Sequence, residues 1–128
     1  MLTWVADKWK NVSSLVAVGV ENEFISVRLA AGRTPVTIMN LYGSVEKGTN
    51  AETDKRWGEI QGEIQKYIEE GEVIVAGDMN TFLGKLGPDN MFGIDGNPNE
   101  KVSHGGRNLQ YLLEQGDIQL LNNTTLRV

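Results

Sequence analysis

Within the stretch VIVAGDMNTFLG, residues 73–84, a carboxylate and a carboxamide stand two positions apart, Asp78 and Asn80, just after an apolar run that ends at Gly77. A carboxylate at such a place can orient or deprotonate water and can bind Mg²⁺ through oxygen. A carboxamide adds a neutral oxygen ligand and an N–H donor suited to phosphate. Ligands of layered α/β proteins gather beyond the ends of strands, where this pair falls. The competing explanation is local: Asp and Asn are favoured in turns because their side chains bond the backbone two residues on. Spacing alone favours the local explanation, because Asp and Asn are common turn residues.

Other candidates are weaker. In the segment 36–42 a period of two puts Val36, Ile38, Asn40 and Tyr42 on one face, so a carboxamide and a phenol share a side. His104 is the only histidine; it lies beside glycines in VSHGG and reads as a loop or cap residue with no assigned role. Residues 95–99, DGNPN, imitate the start of a calcium loop. Glu100 stands where that loop needs Gly, and Gly106 where it needs a bidentate Glu, so a polar loop is the better reading. The sequons at Asn11, Asn122 and Asn123 are chance-grade matches.

The elements that must position these groups belong to an ordinary globular chain. It has 128 residues, 40% hydrophobic and 23% charged, enough for one domain or part of a larger one. It has no cysteine, which excludes disulfides, thiolate metal sites and cysteine nucleophiles. No apolar run is long enough to span a membrane, and Asp7, Lys8 and Lys10 interrupt the start of the chain, so neither anchor nor signal peptide is expected. A net charge of -5 and a pI near 4.8 argue against non-specific nucleic-acid packaging, which needs Lys and Arg. An enzyme acting on phosphate esters stays open, because a bound divalent cation inverts the local sign of a carboxylate site.

Residues 2–6, 14–20, 23–30 and 36–42 read as strands, the third with Phe24, Ser26 and Arg28 opposite Ile25, Val27 and Leu29. Residues 43–53 read as loop. Trp57, Ile60, Ile64, Tyr67 and Ile68 mark an amphipathic helix over 54–70, with Thr53 as N-cap, Gly71 as C′, and Gly58 and Gly62 permitting close approach to a sheet. Residues 72–76 lack alternation from Val73 onward, which predicts a central strand covered on both faces. A long loop over 78–104, a helix over 106–115 carrying Leu109, Leu112 and Leu113, and a strand over 118–121 complete the order. That order predicts an α/β sandwich with helices over a mixed sheet.

Three segments carry a family resemblance. GDMN, Gly77–Asn80, after its strand resembles the GDFN-type motif of the endonuclease/exonuclease/phosphatase superfamily. VTIMNLYGS, at 36–44, is similar to the family strand ending in Asn-x-Tyr-x-Pro, with Ser44 in place of the Pro. GGRNLQYLLEQGDIQLLNNT, at 105–124, resembles the helix and strand that follow the GDxN loop in endonuclease domains of non-LTR retrotransposons. The resemblance implies a DNase-like four-layered α/β sandwich and a phosphodiester hydrolase using Mg²⁺ or Mn²⁺, acting on nucleic acid, DNA above all, in an intracellular and for such an element nuclear setting. Residue by residue, it implies Asp78 as the acid/base that activates water and as a metal ligand. It implies Asn80 as a metal or phosphate ligand, and Tyr42 with its phenol against the scissile phosphate. Asn40 would support Tyr42 or satisfy backbone groups. The family's first-strand Asn and Glu, its closing metal-side Asp and its Ser-Asp-His motif have no counterpart here. The chain is therefore expected to be the central portion of one such domain, incomplete at both ends and catalytically crippled alone. A phosphatase on the same scaffold and a non-catalytic remnant or binding module are the alternatives.

Overall fold

The computed structural model describes residues 2–19, 23–43, 48–81, 102–115 and 118. A short 3-10 helix, Asp7–Val12, precedes strands β1 (Ser13–Val18), β2 (Phe24–Leu29) and β3 (Val36–Tyr42). Helix α1 (Asn50–Glu70), strand β4 (Glu72–Asp78) and helix α2 (His104–Glu114) follow. The chain divides into two compact units, one drawn from Met1–Ser44 and Glu59–Asn80, the other from Val45–Gly58 and Thr81–Val128. It is mixed α/β, as its order of elements predicts. No helix among the described residues is long and apolar enough to cross a membrane.

The first unit holds a four-stranded sheet in the order β1-β2-β3-β4. β1, β2 and β3 pair antiparallel, as short connections allow. β4 pairs parallel to β3, because the intervening helix returns the chain to the same end of the sheet. Alternation along β2 and β3 buries Phe24, Ser26, Thr37, Met39 and Leu41 on one face. The second half of α1 serves that face. Ile60, Ile64 and Tyr67, spaced along one helical stripe, are buried, and the Arg28 guanidinium pairs with Glu70. Burial of each such large apolar side chain contributes about 1.5–3 kcal/mol. Within this layer Tyr67 Oη, Ser26 Oγ and Glu63 Oε2 are buried near one another but miss hydrogen-bond geometry. Burial pushes the Tyr67 phenol up to about 12.

The other face of the sheet is different. Register places Leu15, Val27, Ile38 and Ile74 in one row across all four strands. At the two ends of that row, Leu15 is 66% and Ile74 49% exposed.

Several expectations are corrected. Residues 2–6 form no strand; Asn40 Nδ2 lies 3.5 Å from the Leu2 carbonyl and 3.3 Å from Thr3 Oγ1, a side-chain attachment in place of a ladder. The helix begins at Asn50, before Thr53, because Thr49 and Glu52 make a reciprocal capping box. Thr49 N–H donates to Glu52 Oε2 at 2.7 Å, and Glu52 N–H to Thr49 Oγ1 at 3.3 Å. Gly58 and Gly62 approach nothing among the described residues: a β-carbon at either would meet open space there. β4 is not covered on both faces; its side chains alternate between partly buried and exposed, and among the described residues it pairs only with β3.

In the second unit α2 is capped by Ser103, whose Oγ accepts the Gly106 N–H at 3.0 Å. Leu109 and Leu112 are buried there, with Leu113 partly so. The calcium-like stretch, most of the long loop and the sequons at Asn122 and Asn123 lie outside the described residues. So does the strand expected over 118–121, save Ile118, which belongs to no element.

Candidate functional site

Parallel pairing of β3 and β4 runs from Val36↔Glu72 to Tyr42↔Asp78, so the phenol and the carboxylate sit on adjacent residues of neighbouring strands. Gly77 explains why the apolar run stops where it does. Its φ is 135°, and a β-carbon there would run into the Leu41 carbonyl, so only glycine lets β4 continue beside β3 to Asp78. Tyr42 is anchored by its backbone N–H, which donates to the Glu23 carbonyl at 2.7 Å, while 53% of the residue is exposed.

Asn80 has a left-handed backbone, φ 45°, a conformation that Asn tolerates better than most residues. Its N–H donates to Asp78 Oδ1 at 2.9 Å, and its Nδ2 donates to the Gly43 carbonyl at 2.6 Å. Gly43 N–H in turn donates to the Asp78 carbonyl at 2.7 Å. The Asx turn anticipated as a local explanation is therefore present. It uses only one oxygen of Asp78; Oδ2 has no partner among the described residues. Tyr42 and Asp78 are thus register partners at the ends of β3 and β4, and Asn80 is bonded to Asp78 and to Gly43. Asn40 shares the face of Tyr42, but its carboxamide nitrogen is turned toward Leu2 and Thr3.

The donor set offers one free carboxylate oxygen and one carboxamide oxygen. Among the described residues no group of three or more His, Asp or Glu could hold a metal ion. Mg²⁺ is commonly held by one or two carboxylates together with substrate phosphates and water. Asp78 and Asn80 fit such a shared ion and do not make a protein-only cage.

Two arrangements escaped the sequence. Gly43 is one, a small residue after Tyr42 whose backbone bonds are invisible in a motif. The other lies within the second unit, where His104 Nε2 is 2.7 Å from Asp54 Oδ1 and Asn108 Nδ2 reaches the same oxygen at 3.0 Å. Asn108 Nδ2 is also 3.2 Å from the His104 carbonyl, closing the cluster. The hydrogen bonds from Asn108 and then His104 hold the Asp54 carboxyl below its ordinary range. His104 is thus the first residue of α2 and a tie to Asp54 near the start of α1; the i, i+4 placement of His104 and Asn108 was its only trace in the sequence. No known family profile matches the chain, and no curated protein does.

Proposed function

We propose that the chain carries the phosphate-facing part of a metal-dependent phosphodiester hydrolase, an endonuclease acting on DNA. One observation supports this reading above the rest: the Tyr42↔Asp78 pairing, with Asn80 fastened beside it to Gly43. The free oxygen of Asp78 aligns a water molecule and receives its proton. The Tyr42 phenol donates to a phosphate oxygen, and Asn80 turns its carboxamide oxygen to the same place. Mg²⁺ or Mn²⁺ held by Asp78 and Asn80 would neutralise phosphate charge. The apolar row Leu15, Val27, Ile38 and Ile74 supports the finer architectural reading, a four-layered DNase-like sandwich, because an apolar sheet face is normally covered by another layer.

A second reading, a phosphate-binding module without turnover, is favoured by the Asx turn and by the single carboxylate that the described residues bring to the site. Both are testable on the isotope-labelled chain. Mn²⁺ should broaden the amide signals of Tyr42, Asp78 and Asn80 before all others, and Asp78→Asn should remove the effect. Broadening that spares the ends of β3 and β4 would sink both readings. Nicking of supercoiled plasmid in Mg²⁺, abolished by Asp78→Asn, selects the hydrolase over the module.

A further inference from the structure

Gly43 directly follows β3, and both of its backbone polar groups are taken by the GDMN stretch. Its N–H reaches the Asp78 carbonyl at 2.7 Å, and its carbonyl receives Asn80 Nδ2 at 2.6 Å. The residue is buried, and a β-carbon on it would collide with the Met79 carbonyl. A carbonyl only accepts, so the end of the Asn80 carboxamide that faces it must be the nitrogen. The main chain therefore decides which end of that side chain is left for a ligand. We propose that Gly43 is a positioning residue: its carbonyl holds the Asn80 nitrogen and turns the carboxamide oxygen away, as an acceptor beside the free oxygen of Asp78. The orienting contact stands on geometry alone; only the use of that oxygen for a cation rests on the reading under "Proposed function".

The test separates the two. In the labelled wild-type chain, one Asn80 side-chain amide proton should exchange slowly with solvent, and Gly43→Ala should release it. Free exchange in the wild type overturns the proposal. Asn80→Asp then isolates the donor, since Asp also tolerates a left-handed backbone and the backbone N–H of residue 80 can still reach Asp78. If Gly43 orients the site, Mn²⁺ binding to Asn80→Asp weakens about tenfold despite the added negative charge, the usual cost of losing an outer-shell partner. Equal or tighter Mn²⁺ binding overturns the use of that oxygen for a cation. If Gly43→Ala fails to fold, exchange of the Asn80 side-chain amide in the wild type decides the orienting contact. Should wild-type Mn²⁺ broadening miss Asp78 and Asn80, the hydrolase reading fails, and slow exchange with its loss in Gly43→Ala still decides the orienting role.

Discussion

Gly77 occupies a backbone state with φ 135° and lies against the Leu41 carbonyl, so two independent penalties meet at one position. Gly77→Ala is expected to cost about 3 kcal/mol or more, combining a strained φ with a backbone collision. Urea denaturation should show a lower midpoint with an unchanged slope; an unchanged midpoint would refute the account. At this scale the sequence was informative about residue types. Asp78 and Asn80 were legible because a carboxylate and a carboxamide after a β-branched run are conspicuous, and Tyr42 because period two fixes its face. Gly43 and the Asp54–His104–Asn108 cluster were not legible. The first acts through main-chain atoms that every residue possesses, and the second joins residues 50 or more apart in the chain.

Secondary elements were legible where side-chain periodicity was strong. β3 spans the segment read from its alternation, and α1 carries its apolar stripe where the three- and four-residue steps placed it. The start of α1 was misplaced because Thr49 and Thr53 are both plausible caps, and only Thr49 has a Glu three residues on to complete the reciprocal bonds. Residues 2–6 have strand-like composition, but composition does not supply a partner strand. Gly58 and Gly62 were read as contact positions, whereas both are exposed with open space around them. Each is expected to stabilise the chain by about 0.5–1 kcal/mol when replaced by Ala, since helix propensity improves and nothing is displaced. Thermal unfolding of Gly58→Ala and Gly62→Ala checks this; a drop in midpoint for either would show that the glycine serves a contact.

For the molecule as a whole, acid sensitivity follows from two exposed carboxylates at the start of α1. The Thr49 backbone and then side-chain hydrogen bonds lower the Glu52 pKa, as Asn108 and then His104 lower that of Asp54. A carboxylate whose folded pKa is depressed stabilises the fold above its unfolded value, about 4 for these groups, and loses that contribution as pH falls through the folded one. The thermal midpoint should therefore decline below about pH 4, and Asp54→Asn should shallow the decline; an undiminished slope would exclude Asp54 as a cause. The parallel pairing of β3 with β4 has one more consequence, for folding order. β1, β2 and β3 are joined by short connections and can assemble as a local meander, but β4 must await the crossover helix. Asn80 and Gly43 are 37 positions apart. A chain caught partway through folding would already hold Tyr42 in its strand, yet would have no carboxylate to set beside it.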